Sequence, residues 1–171
     1  WGIGARTKAR LNKMNIYSSS IYSCISEPLI FVMKGILDNN NQLKNYNNKV
    51  INIYKKIIDY VYFNLKENTK LIISKAKGAW YLFLDFRNYV DKLKKIGINN
   101  SDELNEYLCN KYGFISVSGN SFSYKNLGIR ISCIDFDVNT IYDNFDSSIT
   151  RIKKGVDLLI DILSKMNSYH F

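Results

Sequence analysis

The chain has 171 residues, of which 46% are hydrophobic and 23% charged, a balance typical of globular proteins and unlike that of disordered ones. Its net charge of +9 is spread over amphipathic stretches and accompanies no recognisable nucleic-acid motif, so nucleic acid is not predicted as a partner. A free-standing basic nucleic-acid-binding domain is an alternative that rests on the charge alone. No apolar run approaches the roughly 18 to 20 residues of a membrane span, which argues against a membrane partner.

The first part of the sequence predicts three helices. The stretch "WGIGA" (residues 1–5) is typical of a strand end or a tight loop, and a basic helix follows over residues 7–14. A polar connection at 18–20 leads to a helix over 26–37, which has a serine as N-cap and a proline in its first turn. After a short turn, apolar residues at steps of three and four predict a long helix over 42–66.

The middle of the sequence is aromatic and β-branched. The stretches "KLIIS" (70–74) and "GAWYLFLDF" (78–86) predict two strands, and a short helix is expected over 90–95. Ser101 as N-cap and Gly113 as terminator predict a second helix between them.

The last part predicts two more strands and a terminal helix. The strands are "FISVSG" (114–119) and "GIRISCI" (128–134), and an apolar stripe predicts one helix over 138–163. The predicted order is β-β-α-β-β-α after the helices, which indicates an α+β fold in which helices cover one side of a small sheet.

Arg130 stands in a stretch that otherwise has the pattern of a buried strand. Strand alternation places Ile129, Ile131 and Cys133 on one face, and Arg130, Ser132 and Ile134 on the other. By itself this pattern allows two interpretations, a solvated arginine or a guanidinium directed at an anion.

The cysteines and the histidine restrict the chemistry further. Cys24, Cys109 and Cys133 form neither a CxxC motif nor a disulfide framework, which favours a reducing, cytoplasmic setting. The single histidine, His170, is next to the end of the sequence, which argues against a Ser-His or Cys-His catalytic pair. The sequence shows no signal peptide. Because it begins at Trp1 and not at a methionine, an upstream part is expected to be missing.

Four stretches together resemble the C-terminal part of pyridoxal-phosphate-dependent aminotransferases of fold type I, the aspartate aminotransferase-like class I/II. "WGIGA" is similar to the Gly-Trp-Arg-Ile-Gly segment of the family, and "GAWYLFLDF" to the Gly-Ala-Phe-Tyr-x-Phe strand. "GFISVSGNSF" (113–122) is similar to the Gly-Val-x-Val-x-Pro-Gly-x-x-Phe strand and loop. "LGIRIS" (127–132) is similar to the Tyr-x-Arg-[Ile/Leu]-Ser strand.

The resemblance implies a division of the chain. Residues 1–41 would end the large, cofactor-binding domain, 42–68 would form the interdomain helix and 69–171 the small C-terminal domain. The fold would then mix α/β and α+β parts, and the family implies a homodimer.

The resemblance also implies a function, which is transfer of an amino group between an amino acid and a 2-oxo acid on pyridoxal 5′-phosphate. Arg130 would bind the α-carboxylate of the substrate, because a planar guanidinium fork matches a carboxylate and keeps its charge. Trp80 and Tyr81 would lie near the mouth of the site as substrate-binding residues, with core aromatics as the alternative interpretation.

Two departures from the family pattern concern the cofactor. The lysine that forms the imine is expected just before Trp1 and is absent from this sequence, so the chain alone is expected to be inactive, with no catalytic residue of its own. Gly2 stands where the phosphate-binding arginine is expected, and Arg6 is the nearby candidate for cofactor binding. An aminotransferase-like binding or regulatory module without catalysis is therefore the alternative.

Overall fold

A computed structural model describes residues 7–21, 27–38 and 40–168. The chain divides into two compact units, residues 1–48 and 49–171, each of which is described by itself. Within the described ranges, no helix combines the length and the apolar character needed to cross a membrane.

The first unit contains helices α1 (Lys8–Ile21), α2 (Glu27–Asp38) and the first turns of α3 (Asn40–Asn68). The predicted polar connection at 18–20 is wrong, because these serines continue α1. Serine lowers helix stability only modestly, so three of them do not end a helix whose other residues favour it. The bounds of α2 agree with the prediction to within one residue, and α3 begins two residues earlier than expected.

The second unit contains the rest of α3 and a four-stranded antiparallel sheet with strand order β1-β2-β4-β3. Its strands are β1 (Ile72–Ile73), β2 (Tyr81–Asp85), β3 (Val117–Ser118) and β4 (Gly128–Ser132). Its helices are α4 (Val90–Lys95), α5 (Ser101–Tyr112), α6 (Phe145–Ser148) and α7 (Thr150–Ser168), with 3-10 helices at Arg87–Tyr89 and Gly119–Phe122. The predicted β-β-α-β-β-α order is confirmed.

One apolar cluster joins the sheet to the helices of this unit. Alternate residues of the two central strands are buried, and so are the apolar stripes of α3, α5 and α7. The most deeply buried of these side chains include Leu65, Leu82, Leu84, Leu104, Leu108, Ile129 and Leu159. Burial of one face of the sheet leaves the other face, with Arg130, free of the core.

The start of α5 differs from the prediction. Its N-cap is Asn100 and not Ser101, and the side chain of Asn100 accepts hydrogen bonds from two backbone N–H groups of the first turn, both at 3.0 Å. The buried hydroxyl of Ser101 instead donates to the carbonyl of Asn126 and accepts from the N–H of Gly128, each at 3.0 Å. Ser101 therefore ties α5 to β4. Gly113 ends the helix in the left-handed conformation (φ 68°), as predicted.

The predicted helix over residues 138–163 is wrong at its start. Residues 138–143 form turns, and the helical stripe is divided between α6 and α7. The side chain of Asn144 accepts from the N–H of Ser147 at 3.1 Å, and the hydroxyl of Thr150 donates to the carbonyl of Ser147 at 2.6 Å. Such local side-chain hydrogen bonds to the backbone compete with a continuous helix.

Asp85, at the end of β2, gives a prediction about stability and pH. Burial works to raise the pKa of Asp85, but the hydrogen bonds from Arg87 and Tyr124 outweigh it and hold the pKa below its usual 3.8. Arg87 donates through Nε at 2.7 Å and through its backbone N–H at 2.9 Å. We expect Asp85→Asn to lower the free energy of unfolding by about 1–3 kcal/mol at neutral pH, because Arg87 loses its charged acceptor.

The pH dependence of this effect follows from the depressed pKa. A carboxylate of this kind stabilises the fold above its unfolded-state pKa, and the contribution is lost as the pH falls through the folded-state value. Urea unfolding of both proteins between about pH 7 and pH 2 should therefore show a gap in unfolding free energy that closes in acid. A gap that stays constant across that range would show that the charge of Asp85 does not contribute.

Candidate functional site

Strands β2 and β4 bring four side chains together on the face of the sheet opposite the core. Their antiparallel register pairs Phe83 with Arg130 and Tyr81 with Ser132. The predicted alternation along β4 is confirmed, since Arg130 is half-buried and Ser132 exposed whereas their neighbours at 129, 131 and 133 are buried. Arg130 thus stands on a central strand, among aromatic residues.

The guanidinium of Arg130 lies over two aromatic rings. Its Cζ atom is 4.2 Å from the ring centroid of Tyr81 and 4.7 Å from that of Phe122. Tyr81 comes from β2, and Phe122 from the 3-10 helix that follows β3. A cation this close to a ring face is attracted by the ring quadrupole, by about 0.5–2 kcal/mol per ring.

No carboxylate in the described part of the chain forms an ion pair with Arg130. Arg87 and Arg151, by contrast, are paired with Asp85 and Asp135, each at 2.6 Å. Among the described residues, the Nε atom of Arg130 has no hydrogen-bond acceptor although it is buried, whereas its two Nη nitrogens are not in this class of buried, unpartnered atoms. Leaving a buried donor unpaired costs about 1–3 kcal/mol. The arrangement is a partly desolvated, unneutralised cation whose Nη end can receive an anion.

The 3-10 helix that carries Phe122 is held at its first residues. The backbone N–H of Asn120 donates to the hydroxyl of Ser118 at 3.2 Å, and its side-chain amide donates to the carboxylate of Asp102 at 2.6 Å. Hydrogen bonds from Ser118 and Asn120 hold the pKa of Asp102 below its usual 3.8. This network fixes the 3-10 helix against the first turn of α5.

The other predicted site residues take different places. Trp80 is 39% exposed, and its ring centroid lies 5.6 Å from that of Tyr81 and 5.4 Å from that of Tyr54 on α3. It also lines a cavity of about 360 Å³ between α3 and residues 75–79. Trp80 therefore packs behind Tyr81, while Tyr81 contacts the guanidinium. Arg6 lies outside the described residues.

Sequence reasoning missed Phe122 as a site residue. The stretch "GNSF" (119–122) is similar to a loop of the family, but the similarity does not imply a role for its aromatic residue. The only local signal is an aromatic side chain just after a short strand, which is common in any core. The contact with Arg130 depends on the antiparallel pairing of β3 with β4, which sets Val117 opposite Arg130, and the sequence pattern does not show that register.

The residues around Arg130 fit a carboxylate. They comprise one guanidinium, two rings that contact it and the exposed hydroxyl of Ser132. Pyridoxal phosphate requires in addition a lysine amine for the imine and donors for the phosphate. The group around Arg130 supplies neither, so by itself it does not fit that cofactor.

Comparison with known proteins finds similarity to aspartate aminotransferases. No family model matches the chain. The chain is 27% identical over 166 residues to an aspartate aminotransferase of Sulfurisphaera tokodaii. The aligned region covers 94% of this chain and 38% of that protein. The crystal structure of an aspartate aminotransferase from Thermotoga maritima superposes with a TM-score of 0.50 at 22% identity, over 69% of this chain and 25% of that one.

These similarities extend over a part of each relative. The chain spans well under half the length of the curated relative, and the match to the solved structure is a likeness of fold. The α+β fold predicted from the order of the elements is confirmed, and its sheet is antiparallel. In sequence and in fold, the chain thus resembles a C-terminal portion of an aspartate aminotransferase-like aminotransferase, as those stretches predicted.

Proposed function

We propose that this chain supplies the substrate-carboxylate site of a pyridoxal-phosphate-dependent aminotransferase. In this role Arg130 holds the α-carboxylate of an amino acid and of the 2-oxo acid formed from it. The observation that carries the proposal is a half-buried guanidinium over two rings, with no carboxylate paired to it among the described residues. The name of the similar Sulfurisphaera tokodaii protein, aspartate aminotransferase, supports the same reaction class.

Arg130 is suited to this role by the form of its side chain. The two Nη groups donate parallel hydrogen bonds to the two oxygens of a carboxylate, and the charge does not depend on pH in the working range. Because Nε is buried, the carboxylate meets the end of the guanidinium and not its side. The nearby rings keep water from the pair, which strengthens its electrostatic attraction.

Binding of the carboxylate fixes the orientation of the substrate. An α-amino acid held through both carboxylate oxygens has its Cα substituents in defined directions, which is the positioning a reaction at Cα requires. Pyridoxal phosphate, when bound, supplies the electron sink for the bond broken at Cα. The part that falls to this chain is to bind and to orient.

The wider assignment belongs to the same proposal. Residues 1–41 are the end of a large domain, 42–68 an interdomain helix and 69–171 a small domain. The enzyme that contains them is a cytoplasmic homodimer. Trp80 and Tyr81 line the entrance on the substrate side. In this proposal a longer protein supplies the imine-forming lysine and phosphate donors, and Arg6 is this chain's own phosphate contact.

The proposal is tested by a transamination assay with pyridoxal phosphate, an amino acid and a 2-oxo acid. We expect a longer protein that contains this chain to be active, and the 171-residue chain by itself to be inactive, because the imine-forming lysine is not part of the predicted pattern within it. The amide of the same amino acid should not be a substrate, since it lacks the carboxylate. Equal rates with amino acid and amide would contradict the role of Arg130.

A second function is favoured by Gly2, which stands in place of the phosphate-binding arginine of the family pattern. In that case the chain belongs to a binding or regulatory module that keeps the carboxylate site and has lost turnover. The transamination assay described above distinguishes the two functions. A longer protein that binds amino acids through Arg130 but neither binds pyridoxal phosphate nor transaminates would establish the second.

A further inference from the structure

We infer that Tyr81 and Phe122 are positioning residues that hold the guanidinium of Arg130 in place before a carboxylate arrives. We call the two rings the aromatic clamp. The inference rests on the proposed function and deepens it, because it assigns the preorganisation of the site to two named side chains. Phe122 has no role in the sequence pattern, and the predicted role of Tyr81 was contact with substrate.

The clamp reduces the entropy that an unpaired arginine side chain loses when a ligand binds. A free arginine side chain has about 2 kcal/mol of rotamer entropy, and a ligand that must first order it binds more weakly by part of that amount. The ring centroids of Tyr81 and Phe122 lie 4.2 and 4.7 Å from Cζ of Arg130. Two such contacts, from separate elements of the fold, restrict the guanidinium without any ligand.

Arg87 shows the alternative way to hold an arginine. Its guanidinium is fixed by the carboxylate of Asp85 at 2.6 Å, which neutralises the charge and occupies its donors. A ring attracts a cation through its quadrupole and accepts none of its in-plane N–H groups. Aromatic support therefore fixes Arg130 and leaves its charge and its Nη donors for a ligand.

Each ring of the clamp is itself supported by a neighbouring ring. Trp80 lies 5.6 Å from Tyr81, and Phe83 meets Phe122 edge-on at 6.4 Å between centroids. Phe83 is also the residue paired with Arg130 across the sheet. Each ring of the clamp thus has a ring contact besides the one with the arginine, so its position does not depend on the arginine alone.

The test compares variants that remove a ring with variants that keep it. Phe122→Leu and Tyr81→Leu each remove one ring, and Tyr81→Phe keeps the ring without its hydroxyl. Phe63→Leu is the matched control, because Phe63 is 46% exposed against 45% for Phe122 and has Lys75 over its ring at 5.6 Å. Thermal unfolding first establishes that each variant folds. If one leucine variant does not fold, the other still tests the clamp.

The first readout needs no ligand. In the 171-residue chain labelled with ¹⁵N-arginine, the Nε–Hε signal of Arg130 should be displaced by the ring currents of the clamp. We expect Phe122→Leu and Tyr81→Leu to move this signal toward the position of an exposed arginine, and Phe63→Leu to leave it unchanged. A signal that neither leucine variant moves would overturn the clamp.

The second readout is a titration with L-alanine, and with L-alaninamide as the probe without a carboxylate. We expect each leucine variant to raise the Kd for L-alanine about three- to tenfold, as loss of one cation–ring contact implies, and Tyr81→Phe, which keeps the ring, to raise it less than Tyr81→Leu does. If Arg130→Ala abolishes binding while both leucine variants bind like the unaltered chain, the clamp is wrong and the proposed function stands. If Arg130→Ala binds L-alanine as well as the unaltered chain does, the proposed function itself fails.

Discussion

Replacing Arg130 with alanine is expected to lower kcat/KM for transamination about 10²- to 10³-fold in a longer protein that contains this chain, because removing one partner of a desolvated charge pair costs about 2–5 kcal/mol. Arg130→Lys should recover little of this loss, since an ammonium group is a point charge without the planar fork. The loss should appear for amino-acid and 2-oxo acid substrates alike, because both present a carboxylate next to the reacting carbon.

The control for this prediction is Arg151→Ala. Arg151 is an exposed arginine on α7 that pairs with Asp135 at 2.6 Å, so its removal changes the net charge equally without touching the clamp. Steady-state kinetics of the three variants decide the matter. If Arg130→Lys were as active as the unaltered protein, the bidentate role of Arg130 would be wrong.

Gly119→Ala should destabilise the fold, although it adds only one methyl group. A Cβ at residue 119 would lie 2.7 Å from the carbonyl oxygen of Gly128 and 3.0 Å from the hydroxyl of Ser101. Because the closest of these atoms belongs to the backbone of β4, the strand or the 3-10 helix must shift, and we expect the free energy of unfolding to fall by about 1–3 kcal/mol. The shift would also displace Phe122 from Arg130.

Gly155→Ala on α7 is the matched control. A Cβ there meets nothing within 4 Å, and alanine favours a helix interior over glycine by about 1 kcal/mol, so stability should rise. Urea unfolding measures both variants, and the arginine Nε–Hε signal reports whether the clamp has moved. Equal stability of Gly119→Ala and the unaltered chain would mean that the close approach of residues 119 and 128 does not constrain the site.

Local patterns predicted the parts of this fold that local forces determine. The apolar period of α3 and α5 gave their bounds to within about two residues, because one face of each helix is buried. The alternation of β4 placed Arg130 on the face opposite the core for the same reason. The position of Arg130 in the sheet was therefore available from the sequence alone.

Other features depend on competition or on distant contacts. The predicted helical stripe includes residues 138–144, but Asn144 is the N-cap of α6, so the helix begins after it, and a periodicity argument does not weigh such a bond. The contact of Phe122 with Arg130 requires the pairing of β3 with β4 and the turn of the 3-10 helix. That Arg130 lacks an acidic partner in the described residues is likewise a property of the assembled sheet.

The most direct test of Arg130 as a carboxylate ligand is a crystal structure of the chain with L-alanine, beside one with L-alaninamide. We predict both carboxylate oxygens at about 2.7–2.9 Å from the two Nη atoms of Arg130, with Nε still unbonded and the clamp rings in place. The amide should leave the same position empty. A structure in which Arg130 pairs with an acidic side chain, or in which L-alanine binds elsewhere while Arg130 stays free, would contradict the proposed role.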